Sequence, residues 1–177
     1  MIRTALFAFL SLMLLSATAL AFKPAPPKAV QIVRDASKSV TLTMTHRGYS
    51  VHTITLNDGK TTRTWSGSYE IASRVFIAKN AARVLFLGGY GDACSSLGEV
   101  KIYDFAGVLQ TTIDLRKSIG NLRQLSKAFT PICCPCRWIG GVREGQTGKT
   151  AVIDICHKKS VTLDLVRSSV TSVKALP

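Results

Sequence analysis

Cys133-Cys134-Pro135-Cys136 places three thiols within four residues, with Cys94 upstream and Cys156-His157 downstream. Thiols at this density support three chemistries. In an oxidising compartment they pair, and five allow at most two disulfides with one thiol left over. Spacing alone does not fix the connectivity. If a hairpin is centred on Gln146, Cys136 stands opposite Cys156, and opposed residues lie about 4.5–5.5 Å apart at Cα, within disulfide reach. Cys94 would then pair with Cys133 or Cys134, closing a loop of roughly 40 residues and contributing about 2–4 kcal/mol by restricting the unfolded chain. The second chemistry is metal binding. Cys134, Cys136, Cys156 and His157 are ligand types for Zn or Cu, ions that accept thiolate and imidazole. Against it, Cys-x-Cys is tighter than common zinc spacings, and Cys156 and His157 point to opposite faces if both lie in a strand. The third is thiol exchange, since Cys133 and Cys136 have Cys-x-x-Cys spacing. Exchangers place a helix after that motif, whereas Arg137-Trp138-Ile139 reads as a strand. Structural disulfides are the expectation, with no cofactor; a Zn, Cu or thiol-redox site is the alternative.

Other patterns carry less chemistry. Gly145-Gln-Thr-Gly-Lys-Thr150 resembles the tail of a phosphate-binding loop, but its leading position is Arg143 rather than glycine. A strand comes directly after it, so no helix N-terminus is offered to a phosphate. No Gly-x-Ser-x-Gly frame is present. His46 and His52 read as surface or packed imidazoles. Asp114 and Asp164 read as repeated strand-end acids rather than an acid–base pair. No catalytic constellation emerges, and the expectation is a protein that is not an enzyme. The best candidate binding loop is Gly88-Gly89-Tyr90-Gly91-Asp92, a glycine-rich stretch after an apolar strand and beside Cys94.

The compartment is legible at the N-terminus. Arg3, the apolar run Ala5 to Leu15 and the small residues of Ala19-Leu20-Ala21 form the pattern of a secretory signal. Cleavage after Ala21 leaves residues 22–177 with all five cysteines, and no further apolar run of about 20 residues to span a membrane. The expected destination is the bacterial periplasm or the exterior, where disulfides persist. The chain of 177 residues carries 23 Lys and Arg against 10 Asp and Glu, a formal charge of +13. Such a balance favours anionic envelope components such as lipid headgroups or wall polymers. Aromatic residues are 7% of the chain and scattered, so stacking platforms for nucleic acid are missing from the pattern.

Period-2 alternation dominates the remainder. Thr41 to Thr45, Val51 to Leu56 and Thr61 to Trp65 alternate, with Asn57-Asp58-Gly59 as a hairpin turn between the last two. Arg74 to Ala78 pairs with Arg83 to Leu87, Val100 to Phe105 with Val108 to Leu115, and Ala151 to Cys156 with Ser160 to Leu165. Leu115, Ile119, Leu122 and Leu125 predict a short helix near 116–127. Strand groups recur at about 50 residues: Ile54 to Gly59, Ile102 to Gly107 and Val152 to Cys156, with Gly88-Gly89 echoed by Gly140-Gly141. The run Gly98-Glu-Val-Lys-Ile-Tyr-Asp-Phe-Ala-Gly-Val108 resembles a β-propeller blade. That resemblance implies an all-β fold of three blade-like antiparallel units, too few for a closed propeller. They would pack as a sandwich or partial propeller, unless another chain completes the ring. The expected organisation is a signal peptide over 1–21, a Pro-rich linker over 22–29 and one β-rich domain over 30–177. The expected role is an envelope-associated binding module for anionic surfaces or another protein. Under the disulfide reading, denatured but non-reduced protein exposes one thiol to a thiol reagent. Four or five reactive thiols would establish the metal or dithiol reading instead.

Overall fold

Side chains alternate across a strand, so a sheet with one buried face reads apolar–polar, and a sheet buried on both faces reads apolar throughout. Both patterns occur here. In the computed structural model, which describes residues 28–48, 50–70, 72–89, 98–119, 139–155 and 159–175, the chain forms three four-stranded antiparallel sheets. Blade 1 is β1 (Val30–Arg34), β2 (Thr41–Arg47), β3 (Ser50–Asn57) and β4 (Thr62–Glu70). Blade 2 is β5 (Ala72–Ala78), β6 (Arg83–Gly89), β7 (Glu99–Asp104) and β8 (Leu109–Asp114). Blade 3 is β9 (Ile139–Glu144), β10 (Thr150–Ile155), β11 (Lys159–Asp164) and β12 (Ser169–Ala175). Each sheet is a simple meander in chain order, and the three do not close into a ring. A 3-10 turn (Lys79–Ala81) and one short helix, α1 (Leu115–Ile119), complete the described elements. No described helix is long and apolar enough to cross a membrane.

Blade 2 is the middle layer. Val84 and Phe86 of β6, with Ile77 and Tyr103, bury against Leu42, Met44, Ile54 and Leu56 of blade 1. Leu85 and Leu87, with Val100 and Ile102, bury against Ala151, Ile153, Val161 and Leu163 of blade 3. The four consecutive apolar residues Val84 to Leu87 are therefore one strand with two cores. Blades 1 and 3 each bury one face, and the burial of β2 and β10 alternates accordingly. The open face of blade 1 carries Thr41, Thr43 and Thr45 of β2 beside Thr53 and Thr55 of β3, in direct register. Burying a large aliphatic side chain contributes about 1.5–3 kcal/mol, so the two cores supply most of the driving force for stacking.

Turns close the stack at one end. Trp65 of β4 lies over the β7–β8 turn, and Asn80 lies over Gly148 in the β9–β10 turn. Along the first strands, Arg74 Nη1 donates to the Gly140 carbonyl at 3.4 Å, tying β5 to β9.

The strand pairs read from the alternation are present: β5 with β6, β7 with β8, and β10 with β11. The predicted helix begins at Leu115, and its continuation beyond residue 119 lies outside the described residues. Two expectations change. Ile102 to Gly107 belongs to the third strand of blade 2, whereas Val152 to Ile155 is the second strand of blade 3. Likewise Gly88-Gly89 ends a second strand and Gly140-Gly141 lies in a first. The three units are real, but the sequence echo between the second and third is displaced by one strand, because residues 120–138 separate them. The blade 3 hairpin also has a different register. Ala151 pairs with Glu144 and, after a bulge, Ile155 with Ile139, so its centre is beyond Gln146. Opposing Cys136 to Cys156 would have required Ile155 to face Arg137.

Gly107 combines φ +84° with a Cβ position 2.6 Å from the Trp65 ring. Gly48, at φ +61°, has open space around its Cβ position. Gly48→Ala should cost about 1–2 kcal/mol in urea unfolding, the backbone term alone. Gly107→Ala should cost about 1–3 kcal/mol more, because the methyl must displace the indole.

Candidate functional site

In each meander the first-to-second and third-to-fourth connections are tight turns at one end of the sheet. The second-to-third connections and the crossovers between blades emerge at the other. The tight turns are built around aspartates. Asp35 accepts from the N–H groups of Val40 (2.7 Å) and Ser37 (3.2 Å) and from the hydroxyls of Ser37 and Ser39. Asp58 accepts from the N–H groups of Thr61 (2.8 Å) and Lys60 (3.0 Å) and from Arg63 (3.0 Å). Asp104 accepts from the N–H groups of Ala106 and Val108, both at 2.9 Å, and from Gln110 at 2.9 Å. Asp164 accepts from the N–H groups of Val166 and Arg167, both at 2.9 Å. Short Asp side chains mimic a turn of backbone in this way.

These contacts hold carboxylates ionised. For Asp35, burial works to raise the pKa but is outweighed by hydrogen bonds from Ser37, Val40 and Ser39, leaving it below its ordinary value. The N–H groups of Thr61 and Lys60 hold Asp58 well below that range, with Arg63 adding to them. The Arg167 N–H does the same for Asp164 against opposing burial, helped by Val166 and by the charges of Arg167 and Lys149. Asp154 is bonded to Arg143 across β9 and β10. Much of the negative charge is thus engaged in making turns and in-sheet pairs.

The positive charge is distributed differently. The tight-turn end bears Arg34, Lys38, Lys60, Arg63, Lys79, Arg83, Lys149 and Arg167, against Asp35, Asp58, Asp104, Glu144 and Asp164. Toward the opposite end the strands, α1 and the chain before β1 carry Lys28, Arg47, Arg74, Arg116, Lys117, Lys159 and Lys174, against Glu70, Glu99 and Asp114. Among these described residues the crossover end has the fewer acids, seven cations to three against eight to five, and it is the candidate contact surface. Lys117 and Lys174 are both exposed on it.

The sequence candidates fall mainly outside the described residues. Gly88 has φ +62° near the end of β6, and Gly89 pairs with Ala72. Tyr90, Gly91 and Asp92 lie outside the described residues, as do Cys94, Cys133, Cys134, Cys136, Cys156 and His157. The expected signal peptide and most of the linker, residues 1–27, lie outside them as well. No group of three or more His, Cys, Asp or Glu suited to a metal occurs among the described residues. The segment Gly145 to Thr150 is a hairpin turn, with the Gly145 N–H on the Thr150 carbonyl at 2.9 Å. Asp114 and Asp164 are not equivalent: one ends a fourth strand, the other a third.

Sequence reasoning did not separate the histidines. His52 is exposed, whereas His46 is 7% exposed with neither ring nitrogen hydrogen-bonded. Their positions in the alternation carry the signal. His46 continues the buried Leu42–Met44 series, while β3 carries a register shift between Val51 and Thr53.

No protein-family profile matches the chain, and no curated protein matches it.

Because the native carboxylate pKa values are lowered, the aspartates stabilise the fold fully above their ordinary value of 3.8, and that contribution is lost as pH falls through the lowered values. Asp35→Ala should cost about 1–3 kcal/mol at pH 7, because it leaves the Val40 N–H unsatisfied. The gap between variant and wild type should narrow below the native Asp35 pKa. Denaturant titrations at neutral and strongly acidic pH check both.

Proposed function

We propose that the chain is an exported, non-catalytic binding module that attaches to anionic components of a bacterial envelope through the crossover end of its blades. One observation carries the reading. The tight-turn aspartates are engaged by backbone N–H groups, while lysines and arginines outnumber acids most strongly at the opposite end. Carboxylates locked into turns at one end do not reach the cations of the other, so the basic end keeps its outward field. That field attracts polyanions by long-range attraction rather than by a shaped pocket. Loops on a rigid scaffold are the usual place for such contacts.

A second reading has its own support. Ile139 and Ile155 are register partners on adjacent strands, so the segments bearing Cys133, Cys134, Cys136 and Cys156 join neighbouring strands side by side. A Zn, Cu or thiol-redox function would use these residues with His157. Elemental analysis of the purified protein decides it: stoichiometric metal supports the site, and a metal-free protein with one inert thiol removes it.

For the principal reading, the protein should sediment with vesicles of anionic phospholipid and not with neutral ones. Salt near 0.5 M, where screening acts within about 4 Å, should release it. Lys117→Glu and Lys174→Glu should each weaken binding by about fivefold or more, since one basic residue near an anionic surface contributes about 1 kcal/mol. Lys60→Glu and Lys79→Glu, at the tight-turn end, should bind as wild type. Salt-independent binding, or equal losses at both ends, would reject the proposal.

A further inference from the structure

Two separate cores hold three blades, and blade 1 is held by one of them alone. His46 sits in that junction. It belongs to the face of β2 that carries Leu42 and Met44, and it lies just past a register shift between Thr45 and His46. Its main-chain N–H donates to the Ala29 carbonyl at 2.8 Å, and its row in blade 1 continues through Val51. The residue is 7% exposed, and neither Nδ1 nor Nε2 has a hydrogen-bond partner among the described residues.

We propose that His46 is an acid-sensitive latch. Protonating its ring inside the junction releases blade 1 from blade 2, while blades 2 and 3 remain together.

The physical reasoning starts from the two charge states. A neutral imidazole with one unpaired N–H and one unpaired lone pair is a modest cost inside an apolar junction. An imidazolium has two N–H donors and a full charge, and no described residue accepts from it. Opening exposes the ring to water, which satisfies both donors. The closed state therefore prefers the neutral ring, and burial does lower the His46 pKa from its ordinary value of 6.5.

Among the described residues no charged side chain is hydrogen-bonded to the ring. Arg47 is the next residue along β2, and its register row runs through Ser50 to Glu70 rather than through His46. Lys28 precedes β1, whose first residue on this face is the neutral Gln31; Ala29, just before the strand, is neutral as well. On blade 2, Glu99 and Lys101 of β7 alternate with Val100 and Ile102 and so share the blade 1 side with Tyr103. They are of opposite sign. Arg74 of β5 bonds to Gly140 of blade 3 and faces away. On blade 1, protonation at His46 therefore adds charge without a carboxylate in its own row.

The sign comes from linkage. The lowered closed-state pKa means that opening takes up a proton between pH 6.5 and that lower value. Over this window the opening equilibrium grows about tenfold per pH unit. Asp35, Asp58 and Asp164 stay ionised there, because their pKa values are also lowered, so they do not contribute to that window. Blades 1 and 3 each rest on a single core, and blade 1 is the one whose buried face carries His46, so it is the unit that opens without global unfolding.

Hydrogen exchange read by mass spectrometry, corrected for intrinsic rates, tests this at pH 7.5, 6.5 and 5.5. Peptides covering β1 to β4 should lose protection by up to about tenfold per pH unit below 6.5, while those covering β9 to β12 should not change. His46→Phe should remove the pH dependence and leave protection at pH 7.5 at or above wild type. If that variant does not fold, His46→Gln, which is neutral throughout, makes the same test. An NMR titration of wild-type His46 supplies an independent readout, and its midpoint should lie below 6.5. Loss of protection spread evenly over the three blades overturns the latch. So does pH-dependent opening that persists in either variant, or a His46 midpoint at or above 6.5.

Discussion

Burial of blade 2 on both faces is the constraint on which the structure depends. A four-stranded sheet exposes two faces, and a chain with three such sheets in line must cover four of those six. Blade 2 contributes both of its faces, blades 1 and 3 one each. Consecutive residues of β6 consequently serve different neighbours, Val84 and Phe86 on one side, Leu85 and Leu87 on the other. A polar residue in that run would breach one core whichever way it pointed. The outer blades are free of this demand, and their open faces carry threonine, serine and charge. A polar outer face on terminal units is how repeat stacks remain soluble.

That arrangement separates two tasks along the axis of the strands. At one end the chain reverses in tight turns that use aspartate as an acceptor for backbone N–H groups, with Asp35, Asp58, Asp104 and Asp164 in corresponding roles. Close packing between blades occurs at the same end, where Trp65 covers Gly107 and Asn80 covers Gly148. The opposite end has connections of uneven length, from residue 71 alone between β4 and β5 to residues 115–138 between β8 and β9, and fewer acids among its described residues. A rigid, acid-consuming end and a basic, loop-bearing end are consequences of one topology, since every second connection of a meander must emerge on the same side.

The all-β class, the hairpins and the absence of long described helices could be read from alternation alone, because period 2 is local and survives any packing. The double role of blade 2 was also present, as the unbroken apolar run Val84 to Leu87. Other features were out of reach. The echo between Ile102 to Gly107 and Val152 to Cys156 suggested equivalent strands, yet both are simply strand-with-Asp segments, and local resemblance cannot count the strands between them. The blade 3 hairpin register was misplaced because the turn between β9 and β10 is centred beyond Gln146, already at Ala151 against Glu144, and a loop of turn-forming residues does not mark its own midpoint. Of the candidate site, the basic excess was legible as a total and the thiols as a cluster. How the described cations divide between the two ends of the blades was not.

The sequence by itself determined the composition of this protein's chemistry: five cysteines, a net charge of +13 and strands that alternate in hydrophobicity. These are local or additive properties, and folding neither creates nor removes them. Tertiary structure decided which faces meet, and with them the standing of individual residues. Asp35 became a turn acceptor because Val40 and Ser37 fold back onto it. His46 became a buried ring without partners because β2 packs on blade 2, while His52, six residues away, stayed in water. Burial depends on what lies across the interface, and that information is spread over residues far apart in the chain.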